Sequence, residues 1–517
     1  MTELLPNHLA GRWTLGTGAG TPLMDPVLGQ DLVRIAATGL DLAAGFSFAR
    51  DVGGAALRSM SYRQRGVLLG AALKVLQAQR DCYYAIATAN SGTVKTDSAV
   101  DIDGGLFTLG YYAKLGDTLG DRHFLLDGDA AKLGRDPTFQ SQHVLTPTHG
   151  VALFINAFNF PAWGLWEKAA PALLSGVPVI IKPASATAWL TQKMVKDVVD
   201  AGVLPPGALS VICGSSAGLL DQLQPFDVVS FTGSADTAAI IRSHPAVAQG
   251  SVRCNIAADS VNSALLLPGE AADSEAFKLL VAEVVREMTV KSGQKCTAIR
   301  RVFVPDTLYD AAAQAISAGL EKITIGNPRN DAVHMGSLVS RAQLLAVQQG
   351  LARLQTQADT LHDGKQHELL DADPAVGCFA GPTLLGTRDA DGAHLVHDTE
   401  VFGPVATLMP YRDAPHALAL ARRGQGSLVV SIYGSDPAEL GRTALALGSS
   451  HGRVHGVSPD VAALHTGHGN VMPQSIHGGP GRAGGGEELG GQRAFGFYHR
   501  RSAVQASAAV LATLGAA

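Results

Sequence analysis

The sequence predicts an α/β fold with two parallel-sheet domains and a small oligomerisation element made of strands. Three observations support this fold class. Apolar runs of strand length alternate with helical segments between residues 150 and 243, the same alternation returns after residue 260, and two segments of strand character stand outside it. Strands that alternate with helices in this way are typical of parallel sheets whose faces are covered by helices.

The predicted elements follow one another in a regular order. Residues from about 40 to 115 have helical periodicity, and residues 122–147 have the pattern of strands around a polar turn. The strands predicted in the two alternating regions are GVALFINAF (150–158), VPVIIKPA (177–184), LSVICG (209–214), DVVSFTGS (227–234), SALLLPG (263–269) and IRRVFVP (299–305). The glycine-rich tract at 477–491 predicts a mobile loop, and the tail after residue 490 predicts a strand and a terminal helix.

Composition and charge exclude several classes of protein. The chain has 517 residues, too many for one hydrophobic core, and 46% of them are apolar. It carries 40 lysines and arginines against 45 aspartates and glutamates, so the basic surface that binds nucleic acid is not expected. No run approaches the roughly 18 apolar residues of a membrane span, and no basic segment followed by an apolar run opens the chain. The five cysteines form no CxxC pair, which indicates free thiols in a reducing compartment. We therefore expect a cytoplasmic protein.

Cys296 is the first candidate for chemistry. It lies in KSGQKC (291–296), just before a predicted strand, where Gly293 permits a close backbone approach and Lys295 places a positive charge nearby. Local positive potential favours the thiolate, which is the nucleophilic form of cysteine. On local sequence alone, a buried structural cysteine remains the alternative.

Two polar residues follow predicted strands, at the edge where open α/β sheets bind ligands. Asn159 comes after the strand at 150–158, and its side-chain amide could donate to a developing oxyanion. Lys182 ends the next strand, where a cation suits ribose hydroxyls or a phosphate. A turn-forming asparagine and a solvated lysine are the alternatives that the sequence leaves open.

The segment FTGS (231–234) predicts an anion site. It runs from a strand through Gly233 to Ser234 at the start of a helix, where free N–H groups and the helix dipole attract a diphosphate. Neither of the standard phosphate motifs, GxGxxG and GxxxxGK[ST], is present. Four histidines are close in sequence, but no cysteine or carboxylate completes a ligand set, so no metal site is predicted. These histidines are His451, His455, His465 and His468.

Taken in order, these segments resemble the aldehyde dehydrogenase superfamily. FNFPAW, EKAAPALLSGVPVIIKP, LPPGALSVICG, FTGS, SGQKC, GPTLL and EVFGPV match family segments between about residues 150 and 490. Each motif is weak alone, but seven in the family's order are specific. The resemblance implies the family's fold and the oxidation of an aldehyde with a nicotinamide cofactor.

A narrower group within that superfamily is similar to this chain in two further places. These are the first 150 residues and the glycine-rich tract at 477–491. This group contains the semialdehyde dehydrogenases of aerobic aromatic degradation through CoA thioesters, either as stand-alone enzymes of benzoate oxidation or as half of a bifunctional ring-opening enzyme of phenylacetate degradation. The length of the chain favours the stand-alone type. The substrate implied is a small-molecule CoA-thioester semialdehyde of the 3,4-dehydroadipyl type, and the product is the carboxylic acid.

Three structural units are expected. Residues 1–121 and 148–260 would form a dinucleotide-binding domain, and residues 261–476 a domain that carries the catalytic thiol. Residues 122–147 and 490–517 would form the oligomerisation element. Because these last segments lie outside the alternation and carry apolar faces, a homodimer or a dimer of dimers is expected.

The resemblance assigns roles to individual residues. Cys296 would be the nucleophile, and Asn159 would form the oxyanion hole together with the Cys296 backbone N–H. Lys168 would lie near the cofactor and the proton-relay path, and Glu488 would match a second carboxylate near the water path. The cofactor would be bound by Lys182 at the adenosine ribose, by Phe231, Gly233 and Ser234 at the diphosphate, and by Glu400 and Phe402 at the nicotinamide ribose and ring.

Two residues depart from the family's pattern. Ser185 stands where NAD-preferring members often carry a ribose-binding glutamate, and because serine does not repel a 2′-phosphate, NADP is favoured, with NAD as the alternative. Ala257, in CNIAADS (254–260), stands where the glutamate that serves as general base is expected. Asp259 would point to the same face but about 6–7 Å away on an extended segment, so it is not expected to substitute.

Three functions therefore remain open. The first is a hydrolytic semialdehyde dehydrogenase in which Ala257 impairs release of the acid. The second is a CoA-acylating dehydrogenase, since thiolysis by CoA needs no base that activates water. The third is a non-catalytic protein that retains the fold, which the intact SGQKC and EVFGPV segments disfavour.

Overall fold

Two seven-stranded sheets organise the chain. The computed structural model describes residues 2–516, so Met1 and Ala517, the outer ends of two predicted segments, lie outside it. In spatial order, the strands of the first sheet are Arg253–Ala257, Val228–Thr232, Ala152–Ile155, Val179–Lys182, Leu209–Val211, Asn7–Leu9 and Arg12–Thr14. The first five of these are parallel, and the two N-terminal strands are antiparallel to their neighbours.

The second sheet repeats the parallel arrangement. In spatial order, its strands are Asp359–His362, Thr383–Gly386, Val405–Tyr411, Ile299–Pro305, Asn262–Leu266, Ser427–Tyr433 and His451–Val457. All of these pairs are parallel except the one that involves the edge strand Asp359–His362. The predicted α/β fold with parallel sheets is confirmed.

Helices cover the faces of both sheets, which explains why the strands read as continuous apolar runs rather than alternating ones. Every residue of the strand Ala152–Ile155 and of the helix Trp163–Leu174 is buried. The helices of the chain are Leu42–Phe48, Gly54–Arg58, Tyr62–Gln77, Arg80–Ile86, Lys95–Leu119, Trp163–Leu174, Ala188–Asp200, Ala235–Ser243, Pro245–Ala248, Glu275–Thr289, Tyr309–Leu320, Arg341–Leu354, His394–Asp398, Ala414–Arg422, Pro437–Leu447, Phe495–Tyr498 and Ala508–Ala516. None of those between residues 2 and 516 is both long and apolar enough to cross a membrane.

A third, smaller sheet lies outside the two large ones. Its three antiparallel strands are His499–Ser507, Phe139–Pro147 and Leu125–Lys132. Two further strand pairs are Thr21–Met24 with Asp31–Ile35 and Ile325–Gly326 with Leu369–Leu370. The segments predicted as strands outside the alternation thus pair with each other, although both large sheets come between them in the chain.

The glycine-rich tract, predicted to be a loop, is an ordered part of the first domain's edge. Its ends form an antiparallel pair of strands, Ile476–Gly478 with Glu487–Leu489. The tract packs on the strand Arg253–Ala257, where Gly486 N–H donates to the Ile256 carbonyl at 3.1 Å. A Cβ at Gly484 would lie 2.3 Å from the same carbonyl oxygen. The glycines therefore serve close backbone packing, which their sequence pattern does not distinguish from a loop.

Candidate active site

Cys296 lies where three cavities meet. It follows the helix Glu275–Thr289 and precedes the strand Ile299–Pro305. One cavity, of about 720 Å³, runs along the carboxyl ends of the first sheet. A second, of about 260 Å³, extends on the other side of the sulfur, and a third, of about 20 Å³, lies between them. Cys296 lines all three.

The turn before Cys296 is tightly constrained. Lys291 and Ser292 both adopt left-handed backbone angles, with φ of 54° and 53°. Gly293 follows with φ of 66°, and a Cβ there would lie 2.3 Å from the Gly403 carbonyl oxygen. The Arg300 guanidinium donates to the Gly293 carbonyl at 2.9 Å. The close backbone approach predicted at Gly293 is therefore present, and the turn fixes the position of the thiol.

The electrostatic environment of Cys296 differs from the sequence interpretation. Burial raises the pKa of the thiol to about 12, and the nearby Glu167 and Glu400 act in the same direction. Lys295 acts in the opposite direction, but its Nζ donates to the buried Glu287 carboxylate at 2.6 Å. Lys295 thus lowers the pKa of the thiol, as the sequence predicts, but burial and the two glutamates outweigh it.

Asn159 presents an unused donor beside the sulfur. It follows the strand Ala152–Ile155 and is only 7% exposed. Its Nδ2 has no hydrogen-bond partner anywhere in residues 2–516, although it lines both the largest and the smallest of the three cavities. A buried amide donor without an acceptor is costly unless it serves a ligand. Its placement suits an oxyanion formed at Cys296.

The largest of the three cavities, called here the dinucleotide cleft, collects most of the residues that the sequence singled out. They come from the ends of four neighbouring strands and from segments of the second sheet. These residues are Asn159, Lys182, Ser185, Phe231, Gly233, Ser234, Ala257, Cys296, Glu400 and Phe402. Lys168 and Glu488 lie outside it, in the buried network behind the smallest cavity.

One end of the cleft is built for an anion and a ribose. Ser234 caps the helix Ala235–Ser243, and its side chain accepts from Thr237 N–H. A Cβ at Gly233 would lie 2.5 Å from the Phe231 ring, so a larger residue here would displace that ring. Lys182 ends its strand half-buried, and burial lowers the pKa of its ammonium group. Ser185 is exposed at the rim.

The other end of the cleft carries a buried carboxylate and an aromatic ring. Glu400 Oε2 accepts from Ser260 N–H at 3.2 Å, whereas Oε1 is buried and finds no donor in the part of the chain described. Burial raises the pKa of Glu400 to about 8. The Phe402 ring packs edge-on against Phe158 at 5.6 Å and lies beside Arg300. An orphaned acceptor and a fixed ring fit the ribose and base of a nicotinamide dinucleotide.

No carboxylate stands at position 257. Ala257 ends the strand Arg253–Ala257 and is 6% exposed, and its carbonyl accepts from Gly233 N–H at 3.1 Å. Asp259, two residues on, is bound by Arg482 at 2.6 Å. Its charge is therefore engaged by the glycine-rich tract.

Behind the smallest cavity lies a buried ionic network. Lys168 Nζ contacts Glu167 Oε1 at 2.6 Å, Thr232 Oγ1 at 2.9 Å and Glu488 Oε2 at 3.3 Å. Burial alone would raise the pKa of Glu488, but Lys168 and the Ser230 hydroxyl reverse this and lower it. Sequence analysis did not single out Glu167, although it adjoins Lys168. Burial raises the pKa of Glu167 to about 8.

The second cavity, on the other side of the sulfur, is an apolar tunnel that ends at Cys296. Its walls include Phe107, Phe160, Trp163, Val471 and Met472. The loop that carries the last two is fixed by Arg453, another residue that the sequence analysis missed. The Arg453 guanidinium donates to the Asn470 and His468 carbonyls at 2.6 and 2.8 Å.

The four histidines serve separate contacts. His455 and His465 lie 3.4 Å apart, and His468 contacts the Ser431 hydroxyl and the Thr297 carbonyl. His451 is buried beside the Leu447 carbonyl. Between residues 2 and 516 there is no group of three histidine, cysteine or acidic side chains that could bind a metal ion.

A long cleft that meets an apolar tunnel at a buried thiol is the arrangement that a thiol-dependent dehydrogenase requires. A family model described as the aldehyde dehydrogenase family matches residues 13–502, and the chain belongs to this family. It is 52% identical over 477 residues to a 3,4-dehydroadipyl-CoA semialdehyde dehydrogenase of Aromatoleum evansii, covering 92% of this chain and 93% of the relative.

Solved structures show the same fold at lower identity. A lactaldehyde dehydrogenase from Escherichia coli has a TM-score of 0.84 at 20% identity and covers 98% of this chain and 99% of its own. A betaine aldehyde dehydrogenase from Staphylococcus aureus, in complex with NAD+, has a TM-score of 0.82 at 22% identity, with coverage of 97% and 96%. By the family match, the chain is an aldehyde dehydrogenase.

Proposed function

We propose that this protein oxidises a CoA-linked semialdehyde of the 3,4-dehydroadipyl type to its acid, with NADP+ as oxidant, in the aerobic degradation of benzoate. The observation that carries the proposal is the place of Cys296, at the junction of the dinucleotide cleft and the apolar tunnel. The relative that is 52% identical is named for this substrate, which supports the substrate class. Incubation with the CoA-linked semialdehyde and with a short aliphatic aldehyde tests it, because the proposal requires a higher kcat/KM for the CoA compound.

In this mechanism the Cys296 thiolate adds to the aldehyde carbon. Asn159 Nδ2 and the Cys296 backbone N–H donate to the resulting oxyanion, which explains the unused donor at Asn159. A nicotinamide dinucleotide bound by Lys182, Ser234, Glu400 and Phe402 supplies the hydride acceptor. The acyl group then remains on Cys296 as a thioester, which water must cleave to release the acid.

NADP+ is expected to be preferred over NAD+. Ser185 is exposed at the rim of the cleft, near Lys182, and offers a hydroxyl rather than a carboxylate to a 2′-phosphate. Steady-state kinetics with both cofactors should give the higher kcat/KM for NADP+. The variant Ser185→Glu should reverse this preference through electrostatic repulsion, while Ser185→Ala should keep it. Equal or better kcat/KM with NAD+ in the unsubstituted chain contradicts the assignment.

Position 257 supports a second candidate function. Because Ala257 cannot accept a proton, thioester release by water lacks the base expected there. CoA is a thiol that can cleave the thioester without a base that activates water, so a CoA-acylating dehydrogenase is the alternative. Turnover in the presence and absence of added CoA separates the two, since only the acylating enzyme forms an acyl-CoA product from the aldehyde and depends on CoA.

We propose that the three-stranded sheet forms a homodimer interface. Leu126 and Phe139 on this sheet are 45% and 52% exposed, and exposed apolar strands favour pairing with a second copy. Multi-angle light scattering at micromolar concentration should give twice or four times the monomer mass. The double variant Leu126→Asp/Phe139→Asp should shift the mass toward the monomer, and a monomeric unsubstituted protein would refute the interface.

We also propose the division of the chain into domains and its cellular compartment. The first sheet, with residues 1–121 and 148–260, is proposed as the dinucleotide-binding domain, and residues 261–476 as the thiol domain. Five free cysteines support a reducing, cytoplasmic compartment.

A further inference from the structure

Three carboxylates at or behind the cavities of the site already have a partner or a proposed ligand. Asp259 is bound by Arg482 at 2.6 Å. Glu488 accepts from Ser230 and Asn255 at 2.6 and 3.0 Å. Glu400 faces the dinucleotide cleft, where the cofactor ribose is its proposed ligand. A fourth carboxylate is Glu167.

Glu167, like Glu400 and Glu488, has a buried oxygen without a hydrogen-bond partner among residues 2–516, but of these three it alone lines the smallest cavity together with Cys296. Its side chain is 3% exposed. Oε1 accepts from Lys168 at 2.6 Å, whereas Oε2 has no hydrogen-bond partner among residues 2–516. Buried polar atoms are almost always satisfied, so this oxygen points to a ligand or a water.

The cavity beside Glu167 brings it to the nucleophile. Glu167, Asn159, Thr232 and Cys296 all line the space of about 20 Å³, which is room for a single water molecule. A water held in this cavity would lie next to an acyl group bound to the Cys296 sulfur. The cavity is separate from the strand end at Ala257, which lines only the larger cleft.

We propose that Glu167 is the general base that hydrolyses the Cys296 thioester in this chain. This assignment rests on the proposed function. Glu167 takes a proton from water, the water oxygen bonds to the thioester carbon, and the carbon–sulfur bond breaks. Cys296 leaves with the bonding electrons and takes back the proton from Glu167, and the acid product ionises into solvent. One water is consumed, and the enzyme returns to its starting state.

The charges around Glu167 fit this role. Burial is the largest influence and raises its pKa to about 8; Lys168 opposes this, and Glu488 adds to it. The other titratable groups near it are Cys296 and the phenols of Tyr112 and Tyr498, whose pKa values burial raises. His477 lines the same cavity, and burial lowers its pKa to about 4. A base with a pKa near the working pH is suited to accept and return a proton. Because the deprotonated form is active, deacylation should rise with pH and level off above about 8.

The test uses an acyl enzyme made without any cofactor. 4-Nitrophenyl acetate acylates a reactive thiol, and intact-mass spectrometry follows the decay of the acetyl adduct after excess reagent is removed. Cys296→Ala should carry no slowly decaying adduct, which assigns the signal to this thiol. In the unsubstituted chain, the decay rate should rise through a midpoint near pH 8.

Glu167→Gln should form the adduct but slow its decay at least about tenfold and remove the pH step. Glu167→Asp should recover part of the rate, which a purely structural role would not produce. In an Ala257→Glu background, Glu167→Gln should have a much smaller effect, because the introduced carboxylate supplies the base. The melting temperature of Glu167→Gln shows whether the variant is as stable as the unsubstituted protein. If it is, and the decay rate and its pH profile are unchanged, Glu167 is not the base. The proposed function is tested separately, by adding aldehyde and NADP+. If no burst of NADPH follows, the proposed function is overturned, whatever the result for Glu167.

Discussion

Replacing Cys296 with alanine is expected to abolish aldehyde oxidation. In the proposed mechanism the thiol is the nucleophile, and it lies where the dinucleotide cleft meets the apolar tunnel. Without it, no thiohemiacetal forms and no hydride can leave the substrate carbon. Removal of a covalent nucleophile typically costs at least ~10³-fold in rate. The absorbance of NADPH and the intact mass of the protein after aldehyde addition measure the loss.

The substitution should leave the fold intact. The turn is held through backbone atoms, since Asn262 Nδ2 donates to the Cys296 carbonyl at 2.7 Å and Arg300 donates to the Gly293 carbonyl. Cys82, which is half-buried beside the first core and lines none of the three cavities, supplies the matched control. Cys82→Ala should keep full activity and the acyl adduct. An acyl adduct on Cys296→Ala, or NADPH formation at the parent rate, would show that another thiol carries the reaction.

The strands that position the site could be predicted because their signal is local. The strand Ala152–Ile155 is apolar throughout, since both of its faces are buried, and a polar residue shortly after it must lie at the sheet's carboxyl edge. This reasoning singled out Asn159, Lys182 and Gly233 as candidates, with structural alternatives left open for the first two, and all three line the dinucleotide cleft. The resemblance to a family added Glu400 and Phe402, which come from the second half of the chain and share no local pattern with the first.

The parts that the sequence missed depend on tertiary partners. Lys295 favours the Cys296 thiolate as predicted, but burial, Glu167 and Glu400 outweigh it. Glu167 looked like an ordinary helical glutamate, because its free oxygen and high pKa depend on burial and on Glu488, which lies close to the other end of the chain. The glycine-rich tract looked like a loop because sequence does not show which backbone approaches another closely. For Glu167 and for the glycine-rich tract, the decisive neighbour is distant in the chain.

The second large effect is expected at position 257. With alanine there, the chain should form a thioester on Cys296 at a normal rate and hydrolyse it slowly. The first half-reaction depends on Cys296, Asn159 and the cofactor cleft, and Ala257 contributes only its backbone carbonyl to this arrangement. Stopped-flow mixing of enzyme, NADP+ and aldehyde should show a burst of NADPH near one equivalent per site, followed by a slow phase.

Ala257→Glu should raise the rate of that slow phase at least about tenfold, because a positioned general base contributes on the order of 10²–10⁴-fold. Ala257 ends its strand on the wall of the dinucleotide cleft, so a longer side chain extends into open space rather than into the core. Ala257→Gln has nearly the same shape without the basic oxygen, and it should leave the slow phase unchanged. The acyl adduct seen by intact mass after turnover should persist in the unsubstituted chain and in Ala257→Gln, and disappear in Ala257→Glu. If the unsubstituted chain already turns over without a burst and without CoA, release of the acid is not limited at position 257, and the base deleted there has no bearing on the rate.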